Sequence, residues 1–312
     1  PVYADGEMAY FKTHYYGGIK KYQWVTTPLS LHGVLVKNDG TTVTVRVGED
    51  EGDPVFCVTD LLPHLAADQM KRPAAELIRG EELNLVVGSL PFRDDEASER
   101  VKLNLLKTLF EKYGVTEADF LSAELEVVPA FKASDVGLDR SFVGSYGQDD
   151  RVCAYTEMEA VFDCGVPDTT VMCIFADKEE IGSCGSTGMK CAFLRHFIED
   201  LAAAHGIEGR TVLKNSKCLS ADVSAAFDPT FPSVSEKRNC AFAGKGITLQ
   251  KYTGSGGKYG TNDASAEMMA YMMDLLDGAG VAWQTGELGK VDEGGGGTIA
   301  YILANYGMEV ID

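Results

Sequence analysis

Three short segments of the sequence present carboxylates in places where they could bind a metal ion or move a proton. Gly147-Gln148-Asp149-Asp150-Arg151 places two adjacent aspartates after a glycine, and we expect no helix around them. Asp177-Lys178-Glu179-Glu180 directly follows an apolar run, and Asp222 follows a third short apolar segment. In α/β sheets ligands bind at the carboxyl ends of strands, where such loops gather.

Each segment also has a simpler interpretation: an acidic turn at Asp149–Asp150, a solvated loop at Glu179–Glu180 and a helix N-cap at Asp222. Taken together, the three loops fit a pair of divalent ions about 3.5–4 Å apart. Zinc accepts Asp, Glu and His ligands in such sites. Of the two adjacent glutamates, one would bind metal and the other would move a proton. Two neighbouring carboxylates raise the proton affinity of one of them unless a cation compensates.

The elements that position these loops alternate between strands and helices in the second part of the chain. The patterns predict strands at 125–128, 171–175, 212–213 and 247–250, and helices at 187–204 and 265–279. This alternation indicates an α/β sheet with helices on both faces.

The first part of the chain is mostly strands. Asn38-Asp39-Gly40 is a hairpin turn signal before the alternating strand Thr41–Val47, and a further strand is predicted at 83–87. Helices are predicted at 58–70 and at 96–113, the second ending at Gly114.

Composition excludes several classes of function. The 312 residues include 28 Lys and Arg against 47 Asp and Glu, a net charge of −19 that repels phosphate backbones and argues against nucleic acid. No apolar run is long enough to span a membrane, and no signal peptide opens the chain. The eight cysteines are scattered without a CxxC pair, which is typical of reduced thiols in a cytoplasmic protein.

The order GQDDR, DKEEIGS, SADV resembles the aspartyl aminopeptidase family of co-catalytic zinc metallopeptidases. Tyr16-Gly17-Gly18, Leu62-Pro63-His64-Leu65-Ala66 and the Lys-Tyr pairs at 251–252 and 258–259 add to the resemblance, which covers essentially the whole chain. It implies a zinc-peptidase-type α/β mixed sheet flanked by helices. Residues 1–20 would end a first catalytic segment, 21–124 would form an inserted β-rich oligomerisation domain, and 125–312 would be the α/β catalytic domain.

The resemblance also implies a role for each site residue. Asp149 matches the aspartate that bridges both metals, and Asp150 follows it where related enzymes have a cis peptide bond. Glu179 matches the general base, Glu180 a ligand of one metal and Asp222 a ligand of the other. The implied cofactor is zinc, with two ions per subunit, and Co or Mn are the implied substitutes for it.

Three further residues match family positions outside the metal site. His64 matches a catalytic histidine that reaches into the neighbouring subunit's active site. Lys251 matches a lysine facing an acidic substrate side chain, and Lys258 lies in the same segment, so Asp or Glu is the expected first residue of the substrate. Family members form twelve-subunit shells with enclosed sites, which implies a homo-oligomer, a dodecamer, that acts on short peptides.

Two family motifs are not found in the sequence. The first metal histidine belongs to H-x-D-x-P and the last to M-H-x-P, and none of the five histidines, at 14, 32, 64, 196 and 205, lies in either. His196 is expected on a helix face. Three of five expected ligands are therefore present, and the sequence is interpreted as an internal fragment of a longer aminopeptidase.

Two rival functions stay open at this stage. The first is a non-catalytic scaffold or binding protein that keeps the peptidase fold, which the missing histidines favour. The second is a related amidohydrolase acting on acylated amino acids, against which the matches in the inserted domain argue. Metal content would separate the scaffold from the enzyme.

Overall fold

The structure, a computed structural model, describes residues 2–312. The chain divides into two compact units, one up to Tyr146 and the other from Gly147 onward. No helix within residues 2–312 is both long and apolar enough to cross a bilayer.

The first unit consists mainly of antiparallel strands. These are β1 Val2–Asp5, β2 Met8–Phe11, β3 Leu29–Val36, β4 Thr42–Val47, β5 Cys57–Val58, β6 Leu85–Gly88, β7 Glu124–Pro129, β8 Ser134–Val136 and β9 Phe142–Gly144, with one α-helix, α1 Arg100–Tyr113. Short 3-10 helices lie at Lys21–Gln23, Gln69–Lys71, Ala74–Glu76, Gly80–Glu82 and Asp119–Ser122. The sheets have the strand orders β1-β2-β6-β5, β4-β3-β7 and β8-β9.

The predicted hairpin and helix end are confirmed. Lys37 and Thr41 bond around the turn that joins β3 to β4, and Asp39 accepts from the Thr41 amide. α1 ends at Gly114, whose φ of +64° and amide bond to Phe110 form a left-handed cap that glycine adopts at low cost. Leucines of α1 pack on a core that includes Leu29, Leu35 and Leu85.

The helix predicted at 58–70 is wrong. Residues 57–58 form β5 and only Gln69–Lys71 is helical, as a single 3-10 turn. Pro63 lies in the middle of the segment, lacks an amide hydrogen and disfavours helical geometry at Leu62.

The second unit mixes helices with short strand pairs. Its helices are α2 Gln148–Asp163, α3 Phe193–Ala204, α4 Gly209–Lys214, α5 Ala266–Ala279 and α6 Ala300–Ala304, with 3-10 turns at Glu179–Ile181 and Pro232–Val234. Its strands are β10 Lys217–Leu219, β11 Ile247–Leu249, β12 Gly254–Ser255, β13 Trp283–Thr285, β14 Gly295–Gly296 and β15 Glu309–Ile311. β10 pairs with β15 and β11 with β13, both in parallel, whereas β12 and β14 are antiparallel.

The two long predicted helices of this unit are present. α3 buries Leu194, Ile198 and Ala202, and α5 buries residues at the same four-residue spacing, so each helix has one apolar stripe. Ser265 is the N-cap of α5 and accepts from the Met268 amide at 3.0 Å. α3 begins six residues later than predicted because Thr187 and its neighbours belong to the loop that follows Glu179–Glu180.

Two predicted strands of this unit are wrong. Residues 212–213 lie in α4, where Leu213 is buried and Gly209 approaches α3 so closely that an added Cβ would lie 2.6 Å from Glu199 Cγ. Residues 171–175 do not form a strand, and within residues 2–312 they have no partner strand to supply backbone hydrogen bonds.

The strand predicted at 125–128 is present as β7, but its partner is β3. Residues 124–129 are therefore part of the first unit, although the sequence placed residue 125 at the start of the catalytic domain. Because β7 pairs with β3 along its full length, this segment belongs to the first unit and not to the predicted catalytic domain. The boundary at 20/21 and the role of 21–124 in assembly stay predictions.

Candidate metal centre

The two aspartates of the GQDDR segment lie at the beginning of α2. Gly147 precedes the helix with φ +78°, and Asp149 and Asp150 have non-helical dihedral angles before the regular turns begin at Arg151. The expectation that no helix surrounds them is wrong, because residues 151–163 continue as a helix. The peptide bond between Asp149 and Asp150 is cis, as the family resemblance predicted.

Asp222 follows β10 in a loop fixed by the parallel pairing with β15. The Ser220 amide donates to the Ile311 carbonyl at 2.8 Å, which extends the pairing one residue beyond β10. Asp222 Oδ1 accepts from the Val223 amide at 2.6 Å. Asp222 thus lies at the carboxyl end of a strand, where the sequence analysis expected it.

Asp149, Asp150 and Asp222 form a compact group of carboxylates. One oxygen from each lies within 4.8 Å of the other two, a spacing that suits a shared cation. Burial raises the pKa of Asp222 to about 7, and the negative charges of Asp149, Asp312 and Asp150 add to the rise. Burial likewise raises the pKa of Asp150. A bound cation would offset this unfavourable crowding of negative charge, so the donor set fits a divalent metal such as zinc.

Glu179 and Glu180 lie on a single 3-10 turn between Lys178 and Gly182, both of which have left-handed φ values. They line a cavity of about 340 Å³ together with Ser183, Thr298 and Tyr301 among others. Burial is the largest cause of the raised pKa of Glu179. The negative charges of Glu180, Asp149, Asp150 and Asp312 raise it further. Glu179 therefore lies in the electric field of the carboxylate group, although neither Glu179 nor Glu180 is one of its three members.

Asp177 stabilises the start of this turn through hydrogen bonds. Its carboxylate accepts from the Lys178 amide at 2.8 Å, from Lys178 Nζ at 2.8 Å and from Thr187 Oγ1 at 2.6 Å. Lys178 and Thr187 together lower the pKa of Asp177 to about 2. The carboxylate remains ionised and connects the two ends of the loop that carries Glu179.

Asp312 is a site residue that the sequence analysis missed. Burial raises its pKa, and its charge contributes to the raised pKa values of both Glu179 and Asp222. The signal was available, since Val310-Ile311-Asp312 repeats the apolar-strand-then-carboxylate pattern used for the other loops. Asp150 was named as one of two adjacent carboxylates but was not assigned as a ligand, although its carboxylate belongs to the group.

The predicted substrate lysines are both engaged with one aspartate. Lys251 Nζ donates to Asp263 Oδ1 at 2.6 Å and to the Ala264 carbonyl at 2.7 Å. Lys258 Nζ donates to Asp263 Oδ2 at 3.0 Å and lies 4.0 Å from the centre of the Tyr252 ring. These lysines therefore form an internal charge cluster, with Asp263 between them.

No histidine of the described part of the chain belongs to the carboxylate group of Asp149, Asp150 and Asp222. His64 is exposed in the first unit, and its catalytic role stays a prediction. His196 is exposed on α3, which confirms the expected helix-face position.

Residues 3–312 match the Aminopeptidase I zinc metalloprotease (M18) family. The sequence is 56% identical over 316 residues to a probable M18 family aminopeptidase 1 of Clostridium acetobutylicum, covering 100% of this chain and 68% of the relative. The fold matches a crystal structure of an M18 family aminopeptidase from Thermotoga maritima with a TM-score of 0.96 at 48% identity, covering 100% of this chain and 70% of the other.

A crystal structure of aminopeptidase I from Clostridium acetobutylicum gives a TM-score of 0.94 at 55% identity, covering 100% of this chain and 68% of the other. The predicted α/β zinc-peptidase fold is thereby confirmed, as is the resemblance on which it rested.

Proposed function

The chain belongs to the M18 family of zinc metalloproteases, and on that basis we propose that it acts as a metal-dependent aminopeptidase that removes the first residue of short peptides. The observation that carries the proposal is the group of Asp149, Asp150 and Asp222, whose oxygens lie within 4.8 Å of one another beside the cavity-lining Glu179 and Glu180. Such a cluster combines a cation site with a proton acceptor.

The proposed metal ligands are Asp149, Glu180 and Asp222, which would hold the metal when it is bound. Support comes from the raised pKa of Asp222, whose proton a bound cation would displace. Zinc is proposed as the native metal, with Co²⁺ and Mn²⁺ as substitutes. When bound, the metal would supply Lewis acidity that polarises the scissile carbonyl and makes the attacking water more acidic.

Glu179 is the proposed general base. Its carboxylate removes the proton of the attacking water and then delivers that proton to the nitrogen of the departing amine. In the metal-free protein, burial and the neighbouring negative charges raise the pKa of Glu179, so this carboxylate has the proton affinity that a general base needs. The remaining carboxylates attract the positively charged amino terminus of the substrate, which accounts for exopeptidase action.

A preference for Asp or Glu as the first residue is the narrower part of the proposal. It rests on Lys251 and Lys258, whose ammonium groups both bind Asp263. An acidic substrate side chain must therefore compete with Asp263 for them. Comparison of kcat/KM for Asp, Glu and Leu p-nitroanilides tests the preference, and equal values for all three would exclude it.

The central experiment measures metal content and hydrolysis together. We expect metal binding and release of p-nitroaniline from aminoacyl-p-nitroanilides after loading with Zn²⁺, Co²⁺ or Mn²⁺. A protein that binds metal without cleaving any peptide, or that binds no metal, would instead fit a scaffold with the peptidase fold. Hydrolysis of acylated amino acids without cleavage of any peptide would instead favour the related amidohydrolase.

A further inference from the structure

The side chain of Asp312 connects two walls of the candidate site. Its Oδ2 accepts from Ser220 Oγ at 3.2 Å and from Thr298 Oγ1 at 2.5 Å. Its own backbone carbonyl accepts from the Gln250 amide at 2.8 Å, which fixes the residue after β15. A single carboxylate oxygen therefore links the end of β10 to the residues before α6.

Each partner hydroxyl belongs to a segment that shapes the site. Ser220 is 7% exposed and precedes Asp222 by two residues. Thr298 Oγ1 also accepts from the Ala300 amide at 3.3 Å, so it bonds to the first residue of α6. Thr298 lines the same cavity as Glu179 and Glu180.

We propose that Asp312 is a positioning residue that holds the Asp222 loop and the Thr298 wall of the cavity in place for metal binding. The inference rests on the proposed function. Asp312 lies outside the three-oxygen group, so it acts through Ser220 and Thr298. Partners that orient metal ligands from outside the coordination sphere typically change metal affinity by about 10–100-fold when they are removed.

The test compares two substitutions of Asp312 by titration of the metal-free protein with Co²⁺, followed by visible absorption. Asp312→Asn keeps an oxygen that can accept from both hydroxyls, whereas Asp312→Ala removes it. We expect about a tenfold or greater loss of Co²⁺ affinity for Asp312→Ala, and less than about a threefold loss for Asp312→Asn. Thr298→Val, which removes one of the two donors, should weaken binding by an intermediate factor.

Glu309→Ala is the matched control, because Glu309 lies on β15, the strand directly before Asp312 in the chain, and accepts from the Ser265 hydroxyl at 2.6 Å. It should leave Co²⁺ affinity unchanged even if it lowers Tm. Equal losses for Asp312→Asn and Asp312→Ala would assign the effect to charge and overturn the positioning role. A loss for Glu309→Ala as large as that for Asp312→Ala would do the same.

A second readout separates this inference from the proposed function. If the unsubstituted protein binds no Co²⁺, the proposed metal site fails, and amide hydrogen exchange of the metal-free protein then tests Asp312. Exchange at Ser220, Val223 and Ala300 should accelerate in Asp312→Ala and stay near the original rate in Asp312→Asn. Unchanged exchange in Asp312→Ala would overturn the inference.

Discussion

Asp222 retains its proton at a pH where an ordinary aspartate is fully ionised. Its pKa of about 7 arises first from burial and then from the negative charges of Asp149, Asp312 and Asp150. In the unfolded chain the same group has a pKa of about 3.9. The folded protein therefore binds a proton that the unfolded chain releases over this interval.

Without metal, this difference makes stability depend on pH. The contribution of Asp222 is fully present below about pH 4 and is lost as the pH rises through about 7, because the unfolded state holds fewer protons in that range. We expect the Tm of the EDTA-treated protein to be lower at pH 8 than at pH 5.5 owing to this group. Thermal unfolding at the two pH values measures the difference.

Asp222→Asn is the control for this prediction, since the amide does not titrate and should flatten the dependence on pH. Saturating Zn²⁺ should raise Tm more at pH 8 than at pH 5.5, because protons and metal compete for the same carboxylate. A Tm that rises from pH 5.5 to pH 8 in the protein but not in the variant would contradict the assigned direction.

Glu179 and Glu180 should respond differently to the same substitution. Glu179→Gln should lower kcat by about 100-fold or more while metal content is unchanged, because only the proton acceptor is lost. Glu180→Gln should mainly weaken metal binding. Steady-state kinetics combined with metal analysis of both variants separates the roles. Metal loss in Glu179→Gln, together with a lowered kcat and unchanged metal content in Glu180→Gln, would reverse them.

At the level of elements, Gly33 allows the closest approach between strands of the first unit. Its φ is +134°, and an added Cβ would lie 2.0 Å from the Glu124 carbonyl oxygen on β7. Gly33→Ala must therefore strain the backbone and separate β3 from β7, at a cost of about 2–4 kcal/mol in the free energy of unfolding. Chemical denaturation of the variant measures this cost.

Gly88 provides the comparison for Gly33→Ala. It also lies in a strand, β6, but has an ordinary φ and no atom within 4 Å of an added Cβ. Gly88→Ala should be neutral or stabilising by up to about 1 kcal/mol, since alanine restricts the unfolded chain. Similar destabilisation by both substitutions would show that contact with Glu124 is not the cause.

Helices and turns that are encoded by a few neighbouring residues were predictable from the sequence, whereas the pairing of a strand with a distant partner strand was not. The stripes of α3 and α5 and the glycine after α1 are encoded within a few residues. Residues 171–175 have a strand composition but no partner strand within residues 2–312, so the strand predicted from their composition was wrong. Asp149, Glu179 and Asp222 could be found because each lies in a recognisable motif, whereas the bond between Asp312 and Ser220 depends on the β10–β15 pairing, which no local pattern encodes.

At the scale of the whole molecule, large apolar side chains are exposed on the β8–β9 hairpin. Val136, Leu138, Phe142 and Val143 are each about half exposed or more, and Leu138 is fully exposed. Apolar surface of this kind usually marks an interaction site. Because the family resemblance implies assembly, we propose that a second copy of the chain covers the hairpin.

The corresponding prediction concerns the mass in solution. Light scattering coupled to size exclusion should give a mass that is a multiple of 33.6 kDa. Leu138→Asp should shift the protein toward the monomer by placing a charge in the contact, while Leu121→Asp, at a leucine outside the hairpin that is itself 90% exposed, should not. A monomer at all concentrations would exclude self-assembly of this chain.

The parallel pairing of β10 with β15 also sets the order in which the site is completed during synthesis. Ser220 and Asp312 are 92 residues apart, and a ribosome adding about 5–20 residues per second needs roughly 5–20 s to supply that stretch. During this interval Asp222 has left the ribosome without the strand that fixes its loop. The loop that carries Asp222 is therefore fixed only after β15 and Asp312 have been synthesised.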